Sequence, residues 1–223
     1  MIKAILTDVE GTTSSITFVK EKLFPYARDH IGEFVRSHAD EPEVMALLNE
    51  VRSVEGEPLE LEVLIKQLLC WIDEDKKITV LKSLQGMVWA AGYKKGDFTG
   101  HVYEDAVQNL RNWHEGGVKL YVFSSGSVQA QKLIFGYSDF GDLTPLFSGY
   151  FDTTIGNKRE IDAYVKIAEQ IGLPEESILF LSDTVEELDA ASTAGMQTLQ
   201  LIRDASVNVS DHHSISNFDQ VNL

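Results

Sequence analysis

Asp8 and Glu10 stand one residue apart in LTDVEGTT, directly after the apolar run Ile2–Leu6. Two carboxylates this close repel each other unless a cation lies between them. Ser124 and Ser125 in FSSGS, and Asp183 in LSDT, likewise follow apolar runs, and Lys158 in GNK lies between them in sequence. Singly, each has a bland reading, because Asp and Ser after a strand form turns and cap helices. Together they make a chemical set. Asp8, Glu10 and Asp183 offer hard oxygen ligands of the kind Mg²⁺ takes. Ser124 and Ser125, with the N–H groups of the SSGS turn, can donate to phosphoryl oxygens, and Gly126 lets the backbone come close. Lys158 is a point cation for both phosphate and nucleophile. A carboxylate can then attack phosphorus, and a neighbouring acid can protonate the leaving oxygen and later activate water. Such a set suits phosphoryl transfer through an aspartyl-phosphate, with electrostatics carrying most of the catalysis.

The elements that must hold these residues follow from the hydrophobic pattern. Ile2–Asp8, Val118–Phe123, Phe151–Ile155, Ser177–Leu181 and Met196–Leu201 read as strands. Helices are expected over Tyr103–Glu115, Val128–Phe135, Arg159–Ile171 and Val185–Ala194. Strand–helix alternation predicts an α/β fold with a doubly wound parallel sheet, helices on both faces and the site at the carboxyl ends of the strands. Between about Phe18 and Gly100 the spacing is helical throughout, with Pro25, Pro42 and Pro58 as punctuation and turns expected at the last two. The expected division is therefore a core formed by residues 1–17 and 101–223, with a helical insertion over 18–100. The polar tail from Asp204 reads as loosely ordered, and His212-His213 within it as a solvated pair rather than a metal site. Thr12 reads as a turn-stabilising hydroxyl.

The chain of 223 residues carries a formal charge of −16 with 43% hydrophobic residues, ordinary for a folded soluble protein. That charge argues against nucleic acid and anionic membrane surfaces as partners. No segment approaches the roughly 20 apolar residues of a membrane-spanning helix, and no signal peptide is expected. The single cysteine, Cys70, excludes an intrachain disulfide and fits the cytoplasm; within LIKQLLCWI it reads as a small buried hydrophobe.

The order of DVEGT, FSSGS, GNK and LSDTVEE resembles the haloacid dehalogenase-like phosphohydrolase superfamily, and the helical insertion resembles the cap that covers the site and selects substrate there. Glu10, where most of these phosphatases have Asp, narrows the resemblance. With LQGMVWAAGYKKGDFTGHVYEDA and FDTTIGNKREIDAYVKIA, the chain looks like the enolase-phosphatase (acireductone synthase) family of methionine salvage. That resemblance implies a monomeric Mg²⁺ enzyme acting on a small phosphate ester, 2,3-diketo-5-methylthiopentyl-1-phosphate. It implies Asp8 as nucleophile and metal ligand, Glu10 as acid/base and metal ligand, Asp183 as metal ligand, and Ser124, Ser125 and Lys158 as phosphate contacts. Asn157 departs from the expected GHK-like segment. Either Glu186 or Glu187 could reach the metal through water, or both could simply place negative charge in the first turn of a helix. Trp89, Tyr93 and Lys94 are candidates for the methylthio end of the pocket, with core packing an equal alternative for Trp89. Glu10 is the first candidate for the enolisation base. Two other readings use parts of the set: a phospho-acceptor domain, which would need no cap, and a dehalogenase, for which Glu10 is the wrong group.

Overall fold

A computed structural model describes residues 1–56, 59–205 and 207–223, so the turn expected at Pro58 lies outside the described residues. Among the described residues, six strands form one sheet: β1 (Ala4–Thr7), β2 (Lys119–Phe123), β3 (Phe147–Phe151), β4 (Ile178–Ser182), β5 (Gln197–Leu201) and β6 (Ser214–Ile215). Their order is β3-β2-β1-β4-β5-β6, and every pairing is parallel. The central strands β1 and β4 are buried along their whole length, which is why they read as unbroken apolar runs. The chain runs outward from β1 through β2 to β3, then returns across β1 to β4. The order therefore reverses between β1 and β4, and ligands of such sheets bind beyond the strand ends at that reversal.

The chain divides into two compact units, Met1–Ile16 with Thr99–Leu223, and Thr17–Phe98. The second unit is helical. A short α1 (Ile16–Phe18) leads into a π-helical turn at Val19–Leu23, followed by α2 (Phe24–His38), α3 (Pro42–Glu55), α4 (Leu61–Asp73) and α5 (Thr79–Lys95). The π turn ends two residues before Pro25, whose nitrogen cannot donate and whose ring crowds the carbonyl four residues back, within that turn. Pro42 opens α3 rather than making a free turn, because its fixed φ suits the first helical position. Ala27, Ile31 and Val35 of α2 form a stripe at four-residue spacing. Ile31 and Val35 pack with Val44, Leu48 and Val51 of α3, Leu64, Leu68 and Trp71 of α4, and Leu81, Leu84 and Val88 of α5. Cys70 is exposed, contrary to its reading as a buried hydrophobe. It sits on α4 away from the Leu64, Leu68 and Trp71 stripe, and its thiol donates to Glu74 Oε1 at 3.3 Å.

In the sheet unit, α6 (Glu104–Glu115), α7 (Val128–Gly136), α8 (Ile161–Ile171) and α9 (Val185–Thr193) connect the strands. Side chains alternate across the sheet, so Ala4, Leu6, Ile178 and Phe180 share a face with Tyr164 and Ile167 of α8 and Leu188 and Ala191 of α9. The strand expected at Phe151–Ile155 is instead β3, ending at Phe151. From Ser214 on, the tail is not loose. Ile215 extends the sheet beside Leu201, and Phe218 is fully buried with its ring 5.5 Å from Trp113. His212 is half-buried, bonded to Thr198 Oγ1 at 3.0 Å and Asp189 Oδ1 at 2.9 Å, which explains its place without a metal. No helix among the described residues is long and apolar enough to cross a membrane.

Candidate active site

Asp8 is the first residue past β1, and its N–H donates to Leu181 O at 2.9 Å, continuing the β1–β4 ladder by one step. The chain then folds back on itself. The N–H groups of Thr13 and Ser14 reach Val9 O at 3.0 and 2.8 Å, and Gly11 N–H reaches Ser14 O at 2.8 Å. The side chain that stabilises this turn is Thr13, whose Oγ1 donates to Asp8 O at 3.0 Å. Thr12, expected in that role, is buried, and its hydroxyl has no partner among the described residues. Gly11 has φ +77°, and a Cβ there would lie 2.7 Å from the Asp183 carboxyl carbon. The glycine therefore serves two purposes: it takes a left-handed conformation and lets the loops after β1 and β4 meet.

Lys158 enters from the loop after β3. Its Nζ lies 2.6 Å from Asp8 Oδ1 and 2.7 Å from Glu187 Oε2, with its side chain only 5% exposed. Three contacts aim it. Asn157 Oδ1 accepts from Arg159 N–H at 3.0 Å and turns the backbone; Tyr164 O–H donates to Lys158 O at 2.7 Å; and the Phe123 ring lies 5.6 Å from Nζ. Asn157 thus shapes the approach of its neighbour while itself exposed. Glu187 Oε2 also accepts from Ser182 Oγ at 3.0 Å. Ser124, just past β2, is buried, and its Oγ accepts from Gly126 N–H at 3.1 Å. Ser125 is exposed in the same turn, and Ser127 caps α7 through Ala130 N–H at 3.2 Å.

The structure thus joins Asp8 and Lys158 directly, sets Asp183 against the Asp8 loop through Gly11, and puts Ser124 and Ser125 at the end of the strand beside β1. Glu10 lies in the same loop, half-buried, in a bridge to Ser14. The sequence leaves Glu186 and Glu187 undecided, and the fold singles out Glu187. It is buried on the face of α9 that carries Ala190 and Ala191, whereas Glu186 is exposed. Spacing held a signal for this, since Glu187 stands three and four residues before those two alanines. Trp89 and Tyr93 are engaged within the helical unit. Trp89 Nε1–H donates to Leu23 O at 2.8 Å, Tyr93 packs edge-on against Phe98 at 4.4 Å, and Lys94 is exposed.

The electrostatics follow from three buried or half-buried carboxylates around one ammonium. Burial, and then the charge of Asp8, raise Asp183 to about 6. The same two causes raise Glu187 to about 7, against the pull of Lys158 and Ser182. Burial pushes the Lys158 ammonium down, but Asp8 and Glu187 outweigh it and the net shift is upward. The lysine therefore stays charged, and the excess negative charge is relieved by protons on the acids. A divalent cation would relieve the same excess. Asp8 and Asp183 supply hard oxygen donors that fit Mg²⁺, although no three Asp, Glu, His or Cys side chains among the described residues are already arranged to hold a metal ion. Both raised acids hold, in the folded state, protons that the unfolded chain releases from about pH 4 upward. The stability they contribute is complete below that pH and lost as pH rises through 6 to 7. In chelator-treated protein, the melting midpoint of wild type should accordingly fall relative to Glu187→Gln between pH 5 and 7.5, and Mg²⁺ should restore it at pH 7.5. Parallel melting curves for the two proteins would refute this charge assignment.

Comparison with known proteins converges on one family. Residues 2–195 match the haloacid dehalogenase-like hydrolase family. The chain is similar to the enolase-phosphatase E1 of Pseudomonas aeruginosa, at 59% identity over 99% of this chain and 98% of that protein. It is also similar to the enolase-phosphatase E1 of Methylococcus capsulatus, at 55% identity over 99% and 98% respectively. Among solved structures it resembles the Unknown transcript 4 protein of Saccharomyces cerevisiae, with a TM-score of 0.85, 34% identity, and coverage of 99% of this chain and 100% of that one. With this identity over almost its whole length, the chain belongs to the haloacid dehalogenase-like hydrolases and, within them, to the enolase-phosphatase E1 family.

Proposed function

We propose that the protein converts 2,3-diketo-5-methylthiopentyl-1-phosphate to the acireductone 1,2-dihydroxy-3-keto-5-methylthiopentene, by enolisation and then dephosphorylation, in methionine salvage from methylthioadenosine. The observation that carries this reading is identity of 55–59% to enolase-phosphatases over essentially the full chain. The reading makes the protein a Mg²⁺-dependent phosphoric monoester hydrolase of a small molecule, working in the cytoplasm as a monomer.

Lys158 holds Oδ1 of Asp8, while Oδ2 takes no hydrogen bond among the described residues. Oδ2 is therefore the atom that attacks phosphorus. As the new O–P bond forms, the ester P–O bond breaks, and its electron pair goes to the leaving oxygen, which takes a proton from Glu10. Water deprotonated by Glu10 then attacks the aspartyl-phosphate, releasing phosphate and regenerating Asp8. Ser124, Ser125 and the N–H groups of their turn hold the phosphoryl oxygens. Lys158 steadies the charge that builds on them. Asp8, Glu10 and Asp183 would hold Mg²⁺, which when bound supplies further neutralisation of the phosphate. Enolisation moves a proton from the carbon bearing the phosphate ester to the neighbouring carbonyl oxygen. Glu10 is the group assigned to that abstraction.

The test compares the diketo phosphate with p-nitrophenyl phosphate, with and without Mg²⁺, identifying products by ultraviolet absorbance and NMR. The expected result is acireductone formation and a kcat/KM for the diketo phosphate about a hundredfold or more above that for the aryl ester, a gap of roughly 3 kcal/mol in transition-state binding. Comparable efficiency on both would replace this reading with a general phosphatase of small sugar or glycolate phosphates.

A further inference from the structure

The loop carrying Asp8 is held from outside the site by its carbonyl oxygens. Tyr103 N–H donates to Thr13 O at 2.9 Å, and Arg203 Nε–H donates to Thr12 O at 3.0 Å. Arg203 Nη1 meets both carboxylate oxygens of Asp105 at 2.9 Å, and the guanidinium lies 4.1 Å from the Tyr103 ring centre and 5.2 Å from that of Phe218. Asp105 Oδ2 also accepts from Phe218 N–H at 2.8 Å, so the tail is tied into the same knot. The Arg203 side chain is 6% exposed, and a guanidinium this buried is costly unless hydrogen-bonded; Nε and Nη1 are bonded, while Nη2 is buried with no partner among the described residues. The reaction described above makes no use of it. Apolar packing could have anchored the tail. What this position requires is a planar fork with one arm for a carbonyl and another for a carboxylate, which arginine supplies and lysine does not.

The loop after β4 is held in a similar way. Gln200 is fully buried; its Nε2 donates to Asp183 O at 3.2 Å and Asn208 O at 2.7 Å, and its Oε1 accepts from Ser210 N–H at 3.0 Å. The backbones of both carboxylate loops are thus fastened to residues 200 and 203, which the tail fixes in turn. Between the loops the clearance is set by the bare Cα of Gly11 against Asp183. A movement of Thr12 changes that gap directly.

We propose that Arg203 is a positioning residue for phosphoryl transfer. Its bond to Thr12 O sets the path of the loop over residues 9–14, and so the placement of Asp8 and Glu10 against Asp183. The proposal rests on the reading of Asp8 as the attacking group. Arg203 acts through the backbone and touches no substrate.

Arg203→Lys keeps the charge and one contact to Asp105 but cannot also fork to Thr12 O. Its kcat and KM are measured for the diketo phosphate and for p-nitrophenyl phosphate, beside Phe135→Leu. That comparison variant loosens a fully buried ring packed on Phe147, which takes no part in the hydrogen bonds that hold the carboxylate loops. The expected result for Arg203→Lys is a kcat lowered roughly ten- to a hundredfold on both substrates, with KM within about twofold, as misplacement of reacting groups predicts. Phe135→Leu should lose thermal stability and keep wild-type kcat. Unchanged kcat in Arg203→Lys, or an equal loss in Phe135→Leu, overturns the proposal. Should Arg203→Lys fail to fold, Asp105→Asn loosens the same clamp; a lowered kcat supports the proposal, and a lowered melting midpoint with unchanged kcat overturns it. A wild type that cleaves only the aryl ester would defeat the substrate reading while leaving the Arg203 comparison intact.

Discussion

Asp8→Asn should lower phosphate release by about four to six orders of magnitude, the scale on which loss of an attacking group is felt. It should do so without weakening the fold. Asn fills the same volume, and Lys158 keeps its 2.7 Å contact to Glu187. The charge balance improves, since Asp8, Asp183 and Glu187 surround a single ammonium and Asp8 is among the causes that raise both other acids. In chelated protein the variant should be as stable as wild type or up to about 1–2 kcal/mol more stable, as is common where a site is strained for function. Single-turnover phosphate release and thermal melts check the two halves separately. Release at more than about a hundredth of the wild-type rate would remove Asp8 from the nucleophile's role, and a large fall in stability would show that its charge balances Lys158 rather than crowding the acids.

Much of the fold could be read from the sequence because the central strands are buried on both faces and therefore read as plain apolar runs. Thus β1, β2 and β4 lie within the expected segments or overrun them by one residue, and the residues at their ends were recognisable. The failures lie at the edges. Strand β3 is FSGYF, with a serine and a glycine inside it and Phe147 its one buried residue, so the apolar signal is diluted. β6 is two residues long, and Phe218 is one aromatic among polar neighbours. Neither has a periodicity to detect; their order comes from contacts with Leu201, Trp113 and Asp105 that lie far away in sequence.

The site was legible to the extent that its members follow strands. Lys158 was marked by its order among the motifs, but its partnership with Glu187 depends on how α9 is rotated, which turns one of two adjacent glutamates inward. The hydroxyl that fastens the Asp8 loop was off by one residue, because Thr12 and Thr13 are alike in sequence and only the turn decides which one reaches Asp8 O. Arg203 gave no signal of its own. A lone arginine after a strand reads as a surface residue until the fold wraps Asp105, Tyr103 and Phe218 around it.

The opposite partner of the Asp8–Lys158 bond should behave in the opposite way. Lys158→Met keeps the volume and a thioether over the Phe123 ring, but removes the ammonium that Asp8 and Glu187 share. Phosphate release should fall about a hundred- to a thousandfold, the loss expected when one stabiliser of transition-state charge is deleted. Stability in chelated protein at pH 7.5 should fall by roughly 3–5 kcal/mol, because breaking a buried pair from one side leaves its charges uncompensated. The pH response gives the test its direction. Asp183 and Glu187 already stand at about 6 and 7 with Lys158 in place, and without it they are pushed further up. Protonation then becomes their main relief, so the variant should recover most of its lost stability on moving from pH 7.5 to 5. Wild type should gain less over the same interval. Mg²⁺ should rescue stability at pH 7.5 more than it rescues turnover, since a cation can replace the ammonium's charge but not its hydrogen bond to Asp8. A Lys158→Met protein as stable as wild type in chelator at pH 7.5 would mean that the ammonium does not balance these acids. The opposite signs expected for Asp8→Asn and Lys158→Met would then have no basis.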